Sequence, residues 1–305
     1  MAQTLSRSRF EAARRFVESE ARPLDAALLS QRLGAAPAGA VLDALAACQN
    51  PDGGFGHGLE PDVPSPASSA LATSIGLRHL VRAGAAADHP MVAGVVRWLA
   101  AHVDSERGVW PIIGPEVDLA PHAPWWAWSA DLAATWNGFR FNPTAEILAW
   151  LYHYRTAVPA QLMASAEAGL RRTLAETRAI EGAYDLKCAI RLAESDSTPA
   201  EISRPLGLLV RRSLSAHDPA DEHTSPFDAA PTPASPFADA VDRRIEPALV
   251  ALIDAQAEDG GWTPFWDWSF VDADVWAKAR RDWRGQLTRE ALETLLAYGR
   301  VEGAG

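Results

Sequence analysis

Apolar positions recur at three- and four-residue intervals along most of the chain, and nowhere alternate with polar ones as a half-buried strand requires. Phe10, Ala13, Phe16 and Val17 mark one helix among alternating Arg and Glu, and a second follows Pro23; together they occupy residues 1–37. Further helices are predicted over 38–49, from Ser65-Pro66 through Leu71, Ile75 and His79, over 90–103, and from Asn142-Pro143-Thr144 onward. Others fall near 159–176 and 181–194, over 240–257, and near 286–300 with a start around Thr288. A Pro/Ser-rich stretch, 216–239, breaks the pattern and reads as a long connection or lid, with Phe227 and Phe237 available to bury. The pattern predicts an all-α protein of about eleven to thirteen helices.

Between two of these helices lies Gln49-Asn50-Pro51-Asp52-Gly53-Gly54-Phe55-Gly56-His57-Gly58-Leu59-Glu60-Pro61-Asp62. The paired glycines permit a turn that residues with a Cβ resist. The stretch recurs: LDALAACQNPDGGF (Leu42 to Phe55) matches LVALIDAQAEDGGW (Leu249 to Trp262) in Leu, Ala, Leu, Gln, Asp, Gly and Gly. Gly108-Val109-Trp110 is a weaker copy without the glutamine, and Gly182-Ala183-Tyr184 is weaker still.

Helix, then Gln-x3-Gly-x-aromatic, then a Pro-marked helix resembles the repeat of squalene and oxidosqualene cyclases and of protein prenyltransferase β subunits, over residues 40 to 300. The resemblance implies one α/α toroid over residues 1–305, in which inner and outer helices alternate around a central aromatic-lined cavity and 1–37 supply the first outer helices. It also implies an apolar ligand, of isoprenoid type. The glutamine can bond terminal backbone groups and the aromatic can cover the turn; both roles are structural, so the repeat speaks to fold and leaves function open.

A net charge of −11 argues against a nucleic-acid backbone as partner. Two cysteines, Cys48 and Cys188, make a disulfide framework unexpected and fit a reducing cytoplasm. No charged-then-apolar leader opens the chain and no apolar run reaches ~18 residues, so no integral membrane segment is expected.

The resemblance offers three chemistries. The Asp-x-Asp-Asp acid of terpene cyclisation and the Asp-Asp-x-x-Asp helix of diphosphate ionisation are both missing. The Asp-x-Cys zinc motif of protein prenylation is met only by Asp185-x-x-Cys188, one residue too long, so neither metal nor other cofactor is expected. What remains is His57, Glu60 and Asp62. A carboxyl beside another carboxylate and walled by tryptophan has a raised pKa and can act as a metal-independent acid, with His57 orienting it. The plainer reading pairs Glu60 and Asp62 with arginines or with a helix N-terminus.

Candidate ligand-binding residues are the aromatic and polar side chains at the other turns: Trp110, His122, Trp125, Trp126, Tyr184, Asp185, Trp262, Trp266 and Trp268. Three tryptophans at 125, 126 and 128 are too many for one helix face; they line a cavity or form a patch closed by a second copy in a homo-oligomer. Asn142, Glu146, Asp185 and Asp267 also suit capping or packing. Two rival functions stand beside the isoprenoid reading: a non-catalytic binding or scaffold protein, and a sugar-active α/α-barrel enzyme, since paired carboxylates with tryptophans also suit pyranoses.

Overall fold

The structure, a computed structural model, describes residues 2–135, 139–217 and 223–303, so residues 218–222 of the expected 216–239 connection lie outside the described residues. In chain order the helices are α1 (Arg7–Glu20), α2 (Pro23–Arg32), α3 (Ala38–Ala46), α4 (Ala70–Arg82), α5 (Pro90–His102), α6 (Ala130–Thr135) and α7 (Phe141–His153). Then come α8 (Ala160–Glu176), α9 (Ala183–Glu194), α10 (Ala200–Ala216), α11 (Pro226–Ala229), α12 (Ala238–Asp254) and α13 (Ala273–Ala297). Among the described residues there is no β-strand, only three isolated bridges, and the chain is all-α. No helix among the described residues is long and apolar enough to cross a membrane.

The chain folds as two compact units, Leu45–Thr224 and Met1–Ala44 with Ser225–Gly305. In the unit Leu45–Thr224, α7 packs against α4, α8 and α9, and α9 packs in turn against α10. α7 is buried on every side: Phe141, then Pro143 through Ala149 without a break, then Leu151 and Tyr152. A helix with no solvent face can carry a charge only if that charge is matched, and Glu146 is such a case.

In the other unit α13 packs against α1 and α2. Its core gathers Leu5, Ala13, Val17, Leu29, Leu249, Ile253, Trp262, Ala291, Leu292, Leu295 and Val301. Burying each large apolar side chain in such a core contributes roughly 1.5–3 kcal/mol. Leu5 also bridges Val301, with Leu5 N–H donating to Arg300 O at 2.7 Å and Glu302 N–H donating to Leu5 O at 3.0 Å.

Two helix starts depart from the periodicity. α4 begins at Ala70, capped by Ser69 Oγ, which accepts from Ala72 N–H at 3.1 Å. The Ser65-Pro66 signal fails there because Pro66 O accepts from Asn50 Nδ2 at 2.8 Å, which holds that peptide in the turn. α13 begins at Ala273 under an Asp272 cap, well before Thr288. Its early buried stripe, Trp276, Ala279, Asp282 and Gly285, has helical spacing but contains an aspartate and a glycine that conceal it. Finally, α10, α6 and two 3₁₀ turns, Pro115–Leu119 and Pro124–Trp126, are elements the pattern did not announce.

Candidate functional site

The two strong repeat windows form the same turn, over residues 49–55 in one unit and 256–262 in the other. Gln49 Nε2 donates to Gly53 O at 2.9 Å and to Met91 O, in the first turn of α5, at 3.0 Å. Gln256 Nε2 donates to Gly260 O at 2.8 Å and to Arg9 O, in the first turn of α1, at 3.0 Å. The glutamine therefore ties its own turn to the start of a neighbouring helix. Asp52 Oδ1 accepts from Gly54 N–H at 2.9 Å, and Asp259 Oδ1 accepts from Gly261 N–H at 3.1 Å.

Gly53 and Gly260 adopt φ of 97° and 94°, in the left-handed region that favours glycine. A Cβ on Gly53 would stand 2.2 Å from Gly94 O, and one on Gly260 2.6 Å from the Ala12 carbonyl carbon. The turn thus touches the backbone of the helix beside it. The following aromatic donates its backbone N–H to a threonine: Phe55 to Thr73 Oγ1 at 3.1 Å and Trp262 to Thr288 Oγ1 at 2.9 Å.

The Trp110 window keeps this last feature, its N–H donating to Thr144 Oγ1 at 3.3 Å, and Gly108 keeps a φ of 72°. Asp104 stands where the glutamine would be and accepts from Glu106 N–H and Arg107 N–H at 3.1 and 3.0 Å. The fourth window folds differently. Gly182 has φ of −77° and caps α9, and Tyr184 is 57% exposed on that helix.

Beside the first turn lies a groove of about 630 Å³, within the unit Leu45–Thr224. The turn contributes Asn50 and Asp52, the approach to α4 contributes Ser68 and Ser69, the end of α5 contributes Trp98 and His102, and the following loop contributes Trp110 and Glu116. Asn50 Nδ2 donates to Ser68 Oγ, and Ser68 Oγ donates to Asp52 Oδ1, both at 2.9 Å. The His102 ring stacks on Trp98 with centroids 4.2 Å apart, and its Nδ1–H donates to Trp98 O at 2.7 Å. In the neutral ring that bond leaves Nε2 as the acceptor. Among the described residues no lysine or arginine lines the groove. Sequence reasoning missed Asn50, Ser68, His102 and Glu116 as site residues. Asp52 alone carried a signal, as a matched position of the repeat.

Of the residues singled out from sequence, Trp110 lines this groove, 1% exposed, with its indole N–H donating to Leu99 O at 2.9 Å. His57, Glu60 and Asp62 follow the same turn but do not line it. His57, at φ 56°, directs Nε2–H to Asn50 Oδ1 at 2.9 Å. Asp62 is buried, its backbone O accepting from Ala123 N–H at 3.0 Å, and both it and Glu60 are engaged within the chain. His122 Nδ1–H donates to Ala120 O at 2.8 Å, and its Nε2 lies 3.4 Å from Asp118. Trp126 packs with Trp128 on a small core of Val63, Leu71, Ile112, Ile113 and Val117, whereas Trp125 is 48% exposed.

Asp185 pairs with Arg140 at 2.9 Å and accepts from Asn142 N–H at 2.8 Å, and Lys187 Nζ lies 5.0 Å from the Tyr184 ring centroid. In the other unit Trp262 is buried, its indole N–H donating to Leu252 O at 2.8 Å. Trp268 is fully buried against Trp276, and Trp266 meets Phe265 and Trp283 edge-on. Among the described residues no group of three or more His, Cys, Asp or Glu side chains is placed to hold a metal ion.

Glu146 joins three helices of its unit: its carboxylate accepts from Arg78 Nε of α4 and Arg191 Nη1 of α9, each at 2.7 Å. Burial alone would raise its pKa, but the Arg191 and Arg78 guanidiniums outweigh it and hold the carboxyl below its usual range. Cys188 Sγ lies 3.7 Å from Glu146 Oε2, and burial, with that carboxylate, pushes the thiol pKa up, so the thiol is inert.

The chain matches no protein-family profile, and no curated protein or solved structure is similar enough to count as a match.

Proposed function

We propose that this chain is a helical-repeat protein of the terpenoid cyclase and prenyltransferase type, its helices arranged as an α/α toroid, and that it binds a small polar molecule beside its first glycine turn. Support for the kinship is the shared turn: the glutamine clamp and the threonine that receives the aromatic N–H at Phe55 and Trp262, with the threonine alone kept at Trp110. Cys48 and Cys188, neither of them in a disulfide among the described residues, favour a reducing, cytoplasmic setting.

The observation that carries the ligand reading is the groove, whose volume of about 630 Å³ is that of a small-molecule site. Asn50, Asp52, Ser68, Ser69, His102 and Glu116 bring polar groups to a lining that also includes Trp98, Trp110 and Ile113, which suits a small molecule with polar groups better than a bare isoprenoid chain. A prenyl diphosphate would further require lysine or arginine side chains at the phosphates, and among the described residues none lines the groove. The sugar-active reading draws on Asp52 and Glu116 as its two carboxylates. Acid chemistry at Glu60 and Asp62 gains nothing from this groove, which neither residue lines.

The test is ligand-observed NMR against neutral sugars, amines and prenyl alcohols, repeated on His102→Ala and Glu116→Ala. A polar compound that binds the native protein and is lost from both variants is the expected result. Binding that persists unchanged in both variants, or a preference for prenyl alcohols, would sink the reading.

A further inference from the structure

The second glycine turn has its own smaller groove, about 440 Å³, lined by Ala12, Arg15, Phe16, Ser19, Glu20, Glu258, Asp259 and Arg284, all within one unit. Several of its residues correspond in position to those around the first turn, with Glu20 standing where the first groove has His102. Counting from the carbonyls that receive the glutamines, Met91 and Arg9, the helix backbone meeting the glycine lies three residues on at Gly94 and Ala12. The ring beside the next glycine lies seven residues on, at Trp98 and Phe16. Asp52 and Asp259 occupy the same position of the turn.

The two grooves differ in what meets the aspartate of the turn. At the second turn Arg284 Nη2 donates to both Asp259 oxygens, at 2.7 and 2.8 Å, and its guanidinium carbon lies 4.6 Å from the Phe16 ring centroid. A guanidinium is thus held between a carboxylate and an aromatic face, the arrangement that charge-assisted bonding and cation–π attraction favour. A Cβ on Gly261 would meet Arg284 Nη2 at 2.8 Å; a Cβ on Gly54 would meet Ser68 Cβ at 2.6 Å and Ser68 Oγ at 2.7 Å. Ser68 therefore stands where the second turn has its arginine. Among the described residues nothing bonds or pairs with Asp52 Oδ2 or with the Glu116 carboxylate, both exposed in the same groove. The first turn keeps the carboxylate and the ring, lacks the cation, and has the larger space.

We propose that the groove beside the first turn binds a small molecule through a guanidinium group, held by Asp52 and Glu116 against the Trp98–His102 stack, in the way that Asp259 holds Arg284 at the second turn. The proposal rests on the binding reading above and names its ligand class.

The probe is agmatine, titrated by calorimetry and NMR at low salt, beside methyl β-glucopyranoside, inorganic diphosphate and a blocked arginine tripeptide. Agmatine is expected to bind, with its affinity falling as salt is raised. Asp52→Asn keeps an acceptor for Gly54 N–H and Ser68 Oγ, so the turn is retained, and affinity should fall at least tenfold. Ser68→Arg should abolish binding by placing a bulky cation in the groove beside Asp52. Agmatine binding that is absent, or unchanged in Asp52→Asn, would overturn the proposal. Binding of the glucoside in place of agmatine would overturn it while leaving the groove as a ligand site; failure of every probe would count against both. Binding of the tripeptide alone would overturn the small-molecule assignment in favour of a protein-borne arginine.

Discussion

The backbone N–H of Trp262 donates to Thr288 Oγ1 at 2.9 Å, and Thr288 Oγ in turn donates to Arg284 O one helical turn back. The hydroxyl therefore joins the glycine turn to α13 as acceptor and donor at once. Thr288→Val preserves shape and leaves a buried N–H without an acceptor. The expected loss is about 1–3 kcal/mol, the cost of one unsatisfied buried donor. Chemical denaturation would measure it, and Thr73→Val should behave alike through Phe55 N–H. A loss below about 0.5 kcal/mol in both would show that the hydroxyls do not hold the turns.

Glycine is required at Gly53 for two separate reasons, and Gly84 separates them. Both have positive φ, 97° and 69°, but a Cβ on Gly84 meets nothing within 4 Å, whereas one on Gly53 meets Gly94 O at 2.2 Å. Gly84→Ala is expected to cost about 1 kcal/mol from backbone strain alone. Gly53→Ala must also push the turn away from α5, and a cost of about 3 kcal/mol or more is expected. Thermal or urea denaturation of the two variants would decide the matter, and equal losses would remove the close approach from the account.

Helical periodicity is legible in α1, where Ala13, Phe16 and Val17 form a purely apolar buried stripe, but α10 escapes the reading despite its buried Ile202, Leu206, Leu209 and Val210. It failed at the start of α13 because the buried stripe there includes Asp282 and Gly285, which a hydropathy pattern counts as surface. The glycine turns were legible because seven residues repeat in register. The groove was not. His102 comes from the last turn of α5 and Glu116 from a 3₁₀ turn, neither within a repeat match, and the Arg284–Asp259 pair spans 25 positions that no local pattern links. The tryptophan run at 125–128 was read as cavity or interface; Trp126 and Trp128 pack on a small core of their own, and only Trp125 is exposed.

Glu194, at the end of α9, meets no hydrogen-bond or ion-pair partner among the described residues, and burial pushes its pKa up from 4.5 to about 7, with Arg191 opposing the shift. In the unfolded chain the carboxyl ionises near its ordinary value, while the folded protein retains the proton to higher pH. The folded state therefore binds more protons between roughly pH 4.5 and 7, and stability falls as pH rises through that window. Above pH 7 the full penalty applies, about 3 kcal/mol at most by the linkage relation. Glu194→Gln removes the titration and keeps the shape. It should stabilise the protein by about 1–3 kcal/mol at pH 8 and change little at pH 4, where the native carboxyl is already neutral. Urea denaturation of both proteins at pH 4, 6 and 8 would provide the comparison. A gain of the same size at every pH would mean that the substitution acts through packing. No gain at pH 8 would mean that the carboxylate is solvated in the folded state.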